Sequence, residues 1–186
     1  MTSFKYMGEF KDESSFPTRV QKGAVMFREP DAEKFAIIAN ILSVVLLVLF
    51  LLLTFFYAGR HYNTWGAVVA FLLLVPHEFL HAIWMKGKVY MYTNWKKMML
   101  FVTSTEDITK GRFIWMSLFP TLCFGFVPFG GFIINPDWIF LGYLGAFSIA
   151  MGAGDYCNIF LALTQMPKGS VTFLSGTHSY WYLPEK

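Results

Sequence analysis

Pro76-His77-Glu78-Phe79-Leu80-His81 is an HExxH motif set inside an apolar run. On a helix, positions i and i+4 lie on one face, so His77 and His81 can hold one metal ion between them, with Glu78 about a quarter-turn away. That is the arrangement a zinc hydrolase needs. Two neutral imidazoles bind Zn²⁺, and the carboxylate takes a proton from the activated water. Random order gives such a match in roughly 0.3% of chains of this composition, so the pattern is fairly specific. The setting sharpens it. Ionisable groups in a membrane span are costly, and three within five residues imply a task. The competing reading is three polar residues that hydrogen-bond to neighbouring helices.

The composition is that of a membrane protein. Of 186 residues, 55% are hydrophobic and 15% charged, with 21 Phe, and the mean hydropathy is +0.47, which does not suit a soluble domain. The length suggests one domain over residues 1–186. The net charge of +3 is small. Its basic residues lie beside apolar spans, where they mark a membrane face, and nothing argues for nucleic acid. Cys123 and Cys157 fall in apolar segments without CxxC spacing and read as buried free thiols. No cleavable signal peptide is visible, because the first 34 residues are polar and mixed in charge, so the first span would serve as the insertion signal.

Four spans are expected, at about residues 35–57, 65–85, 113–134 and 139–163. The first is uncharged over 23 residues, enough to cross about 30 Å of hydrocarbon, and it has no polar face to keep from lipid. The second carries the HExxH motif. Pro76 frees the carbonyl of Leu72 and predicts a kink, either a structural one or one that admits water beside the metal. Pro120, Pro128 and Gly130-Gly131 make the third irregular. The fourth is rich in small residues from Gly145 to Gly154, which allow close helix contact. Asp155 and Asn158 follow on one face.

Outside the spans, residues 1–34 are expected either to lie partly extended on the membrane surface, with a short strand near Ala24–Phe27, or to form a solvated tail. Val89–Thr93 and Met98–Thr103 flank Asn94-Trp95-Lys96-Lys97 and are rich in β-branched and aromatic residues. They predict a β-hairpin between the second and third spans. Its edge could pair with an extended substrate, or the stretch could be an amphipathic surface loop. In the C-terminal tail, Val171–Leu174 and Tyr180–Leu183 predict two more short strands.

The 15 Lys and Arg residues sort the connections by side. The N-terminal tail holds six, the first link one, residues 86–112 six, the turn at 135–138 none and the C-terminal tail two. The positive-inside rule then puts both termini and the hairpin in the cytoplasm, with four spans returning the chain to its starting side. The fold class is thus mainly α and integral to the membrane: four transmembrane helices with a small cytoplasmic β-hairpin.

A catalytic zinc usually has three protein ligands. Asp155, Asp137, His61 and His178 are the candidates for the third, and depth separates them. His77 lies about 12 Å from the cytoplasmic end of its span, His81 about 6 Å and Asp155 about 12 Å. Asp137 and His61 sit in the outer links, and His178 sits in a tail that would have to fold back. Coordination would offset the cost of an Asp inside a span, although an Asp hydrogen-bonded to a neighbouring helix would offset it too.

These features resemble the small bacterial membrane proteins described as putative zincin peptidases, which are similar to the site-2 proteases, intramembrane metalloproteases. The resemblance covers nearly the whole chain. It rests on HEFLH at 77–81, Thr109-Lys110-Gly111-Arg112-Phe113 before a span containing Pro120, Gly152-Ala153-Gly154-Asp155, and Tyr180-Trp181-Tyr182. It implies zinc held by His77, His81 and Asp155, with Glu78 as catalytic base. Tyr156 stands where site-2 proteases carry Gly after the ligand Asp. Asn158 is a candidate for orienting Asp155 or binding the substrate backbone. The implied activity is zinc-dependent cleavage of membrane-associated or transmembrane peptides near the cytoplasmic face of a bacterial membrane. The alternative is a non-catalytic membrane scaffold or chaperone that retains a metal site. A metal or proton transporter is disfavoured, since the first span offers little beyond Asn40 and Ser43 for a polar path.

Overall fold

Residues 35–57 carry no charge and no helix breaker, and they lie in one uninterrupted helix. In the computed structural model, which describes residues 3–9, 18–94, 99–104, 106–176 and 178–185, α1 runs Ala32–Tyr57. Asp31 caps it, its carboxylate accepting from the Lys34 N–H at 2.9 Å, which satisfies one first-turn donor. The next apolar stretch behaves differently. Pro76 has no N–H for the Leu72 carbonyl, and its ring crowds that carbonyl. The helix breaks at Leu73 into α2, Thr64–Leu72, and α3, Leu74–Ile83, bent by 45°. Pro76 ends up in the first turn of α3, where a missing N–H costs nothing. The kink expected from Pro76 is present, displaced toward the crowded carbonyl.

The third stretch absorbs its prolines without a bend. Helix α4, Lys110–Thr121, passes into a π-helical turn at Leu122–Phe126 and then α5, Val127–Ile134. Pro128 cannot donate, and the wide turn just before it accommodates the shifted pattern, the Val127 N–H reaching the Leu122 carbonyl. The fourth stretch, expected as one helix, is two: α6, Ile139–Met151, and α7, Ala153–Gln165, bent by 50° at Gly152. Among the described residues, two helices, Glu33–Tyr57 and Lys110–Ile134, are long and apolar enough to cross a membrane, and up to four are if each bent pair counts as one span.

By packing, the chain forms two compact units: Pro30–His77 with Ser117–Asn158, and Met1–Glu29 with Glu78–Met116 and Ile159–Lys186. The division passes within α3, α4 and α7. In the helical unit, α6 packs against α1, α2 and α5, and small residues allow it. A Cβ on Gly66 of α2 would lie 2.7 Å from the backbone nitrogen of Leu144, and one on Gly145 of α6 would lie 2.8 Å from the Gly125 carbonyl oxygen and the Phe129 nitrogen. Phe129, Phe132, Ile149 and Ala58 form the core beside them. Thr54 of α1 is fully buried, and its hydroxyl donates to the Phe50 carbonyl at 2.8 Å. The rest of α1 exposes apolar side chains such as Ile41, Val44 and Val48, a surface suited to lipid.

The other unit is built on two small sheets. β1, Ser3–Glu9, lies parallel to β3, Lys88–Asn94, which pairs antiparallel with β4, Met99–Ser104, in the order β1-β3-β4. The hairpin is thus present. Its turn, Trp95 to Met98, lies outside the described residues. The second sheet has the order β2-β7-β6-β5, from β2, Val25–Met26, β5, Ile108–Thr109, β6, Val171–Ser175, and β7, His178–Tyr182. The short strand near residues 24–27 and the two tail strands are found close to their expected places. β1 and β5 were not expected. Val89, Met85, Ile108, Ala82 and Met116 form one core, and Phe27, Ala162 and Met166 another. Lys110 Nζ donates to the carbonyls of Met166 at 2.5 Å and Leu163 at 3.3 Å, satisfying acceptors at the C-terminal end of α7.

Replacing Gly145 by Ala forces a methyl group onto backbone that cannot yield, and is expected to cost about 1–3 kcal/mol. Gly130→Ala in α5 meets nothing within 4 Å and is expected to be neutral or to stabilise by about 0.5–1 kcal/mol. Thermal unfolding of both variants in detergent checks the pair.

Candidate metal centre

The break at Leu73 starts a fresh helix immediately before the histidines. The His77 N–H donates to the Leu73 carbonyl at 2.8 Å, so His77 belongs to the first full turn of α3. His77, Glu78 and His81 then each offer one ligand atom, and these atoms all lie within 4.8 Å of one another. His81 is buried, and His77 half-buried.

Each side chain is held by a partner of known chemistry. The Nδ1 of His81 lies 2.9 Å from the Met116 carbonyl oxygen. A carbonyl only accepts, so Nδ1 carries the proton and Nε2 keeps its lone pair for a metal. Glu78 Oε2 accepts from the Val102 N–H at 3.1 Å. Val102 faces Met91 across the hairpin, and β4 is an edge strand of the sheet among the described residues, so this N–H points away from the sheet toward Glu78. Around the motif, Phe79 stacks on Phe4 of β1 with ring centroids 5.1 Å apart.

In the helical unit, His77 Nε2 lies 3.1 Å from Asp155 Oδ2. Both side chains are largely buried, 12% and 15% exposed. Asp155 is in the first turn of α7, where the helix dipole favours a carboxylate. The spacing suits a shared metal: tetrahedral zinc with ligands at its usual distances of ~2.0–2.2 Å separates neighbouring ligand atoms by about 3.4 Å. The donor set of imidazoles and a carboxylate also suits zinc.

The other candidates are placed elsewhere. Asp137 lies in the turn before α6, its N–H donating to Asn135 Oδ1 at 3.2 Å. His61 lies in the α1–α2 link, where its carbonyl accepts from the Tyr143 hydroxyl at 3.2 Å. His178 Nδ1 is 3.4 Å from Glu29 Oε1. Asn158 is half-buried one turn beyond Asp155, and among the described residues no hydrogen bond joins it to Asp155. Sequence reasoning missed the supporting partners, the Met116 carbonyl and the Val102 N–H. Both are backbone groups, and no residue type announces them.

Among curated proteins and solved structures, nothing matches this chain. A family described as "putative zincin peptidase" matches residues 70–171. That is more than half of the chain, and it holds the HExxH motif, the hairpin, Asp155 and Asn158. The family suggests a zinc metallopeptidase, in keeping with the donor set on α3. The chain belongs to the putative zincin peptidase family.

Proposed function

We propose that the protein is an integral-membrane zinc endopeptidase of the site-2-protease type. His77, His81 and Asp155 hold the metal, Glu78 is the catalytic base, and the substrate is a membrane-associated or transmembrane peptide cut near the cytoplasmic face. The observation that carries this reading is the His77–Glu78–His81 group on α3, with ligand atoms within 4.8 Å. The His77–Asp155 approach at 3.1 Å supports the third ligand.

When bound, zinc supplies Lewis-acid polarisation of the scissile carbonyl and of the attacking water. The chain's own residues do the rest. The Met116 carbonyl holds His81 in the tautomer that leaves Nε2 for the metal. With Glu78 Oε2 on the Val102 N–H, the carboxylate takes up the water proton at Oε1 and passes it to the leaving amine. The β4 edge is where an extended peptide would add as a further strand, its backbone aligned beside Glu78. Asn158 would bind substrate backbone or orient Asp155. The hairpin and both termini would lie in the cytoplasm, which the excess of Lys and Arg in those segments supports, and the spans in a bacterial cytoplasmic membrane, as the resemblance implies.

Protein purified in detergent is expected to carry about one zinc per chain. His77→Ala, His81→Ala and Asp155→Ala should lose it, while Asp137→Ala retains it. Elemental analysis per folded protein decides, and zinc retained in Asp155→Ala but lost in Asp137→Ala would reverse the choice of carboxylate. Glu78→Gln should keep its zinc yet lose cleavage by about 10²–10⁴-fold. Comparing the proteomes of membranes that express wild type and Glu78→Gln should show substrates accumulating in the variant. If Glu78→Gln fully complements a deletion, the scaffold reading is favoured instead. For topology, Lys88 on β3 and Lys168 after α7 are exposed. Lys88→Cys and Lys168→Cys, in a background without Cys123 and Cys157, should react with an impermeant thiol reagent only from the cytoplasmic side.

A further inference from the structure

Leu49, Leu52, Leu53, Phe56 and Tyr57 recur at intervals of three and four along α1, so they share one face of it. All five are exposed, and together they line an open groove of ≈ 350 Å³. The stripe is about 12 Å long. It is apolar except at Tyr57, whose hydroxyl donates to the Ile133 carbonyl at 3.4 Å and so ties the end of α1 to the end of α5.

Arg60 follows three residues after the groove ends. The Gly59 N–H donates to the Phe56 carbonyl at 3.3 Å and the Arg60 N–H to the Phe55 carbonyl at 2.8 Å, the double bond pattern that closes many helices. That pattern asks for a left-handed residue at Gly59, where φ is 65°. Arg60 is left-handed as well, with φ 70°, and among the described residues it is the one non-glycine with a positive φ. Glycine would take up this backbone without strain, yet the position holds a long cation. Arg60 is exposed and forms no ion pair among the described residues. A helix dipole favours a cation at this end, which accounts for the charge but not for the apolar stripe that leads to it. The Tyr143 hydroxyl reaches the His61 carbonyl at 3.2 Å, so the start of α6 lies at the same end of the helical unit. Tyr62, Trp65 and Trp138 are exposed there, and tyrosine and tryptophan gather at the level of lipid headgroups.

We propose that the groove on α1 and Arg60 form one binding site for an anionic phospholipid. An acyl chain lies along Leu49–Tyr57, and the phosphodiester sits on the Arg60 guanidinium, whose planar fork donates a pair of N–H bonds to phosphate oxygens. An anionic headgroup suits a lone arginine, because it brings no cation of its own to compete for the phosphate. The inference rests on the integral-membrane reading given above and not on the zinc chemistry.

Full-length protein, delipidated in a neutral detergent, is titrated with phosphatidylglycerol or with phosphatidylcholine of the same acyl chains. Native mass spectrometry reads the first lipid bound. Wild type is expected to bind phosphatidylglycerol about 5-fold more tightly than phosphatidylcholine. Arg60→Gly should lose that preference, bind phosphatidylcholine as wild type does, and melt no lower than wild type when free of lipid. Leu53→Trp, which fills the groove, should weaken both lipids. An unchanged affinity for phosphatidylglycerol in Arg60→Gly overturns the proposal. An equal loss of both lipids in Arg60→Gly with a lowered melting temperature also overturns it, since that marks Arg60 as a partner of the helix end alone. Inorganic phosphate that displaces phosphatidylglycerol at equal concentration would assign Arg60 to free phosphate and overturn the lipid site. If Leu53→Trp leaves both lipid affinities unchanged but turns a dimer into a monomer by light scattering, the groove receives a second copy of the chain instead. Protein that stays in solution without detergent defeats the integral-membrane reading, whereas detergent-dependent protein that fails the lipid titration defeats this inference alone.

Discussion

An ionisable side chain among apolar helices is stable only when something meets its charge and its hydrogen-bonding capacity. That constraint orders this chain. Glu78 takes the Val102 N–H, His81 takes the Met116 carbonyl, and His77 and Asp155 take each other. Two of the three arrangements draw on the backbone, whose donors and acceptors are already aimed by the element they belong to. Within each unit these side chains are therefore held by fixed partners.

The same constraint explains why two of the apolar stretches are broken. An intact helix spends every backbone group on itself. Breaking it creates a new first turn, with free N–H groups and a positive dipole end. His77 lies just past the break at Leu73 and Asp155 just past the break at Gly152. Such breaks survive in a membrane only where protein or a polar cavity surrounds them. Here α6 supplies the protein. Its glycines let α1, α2 and α5 approach at backbone distance, and Gly152 itself has no room for a Cβ, which would collide with Thr121.

The sheets meet a different requirement. β3 is paired on both sides, by β1 and β4, so within the described residues the free edges of that sheet belong to β1 and β4. An open edge is a template for another strand. In β4 that edge carries the Val102 N–H that holds Glu78, so the group proposed as base sits beside the place where a peptide backbone would add.

Much of this was legible in the sequence because the signals were local. HExxH spacing puts two histidines on one helical face wherever that helix lies, and an uncharged run of 23 residues is a helix in lipid by length alone. Pro76 announced a kink, and β-branched and aromatic runs announced the hairpin. Other features were decided only in three dimensions. Ser3–Glu9 has no strong strand signature and becomes β1 because β3, some 80 residues away, offers it a parallel edge. Gly152 reads as one small residue among many, and only the fold shows that the last stretch bends there, at a position where a Cβ would collide with Thr121. That Asp155 meets His77 at 3.1 Å could be argued from depth but was settled by packing within the helical unit. The sequence by itself determined which residue types could bind a metal. The tertiary structure decided which backbone groups hold them, because a carbonyl or an N–H has the same identity at every position and acquires a role only from where the fold places it.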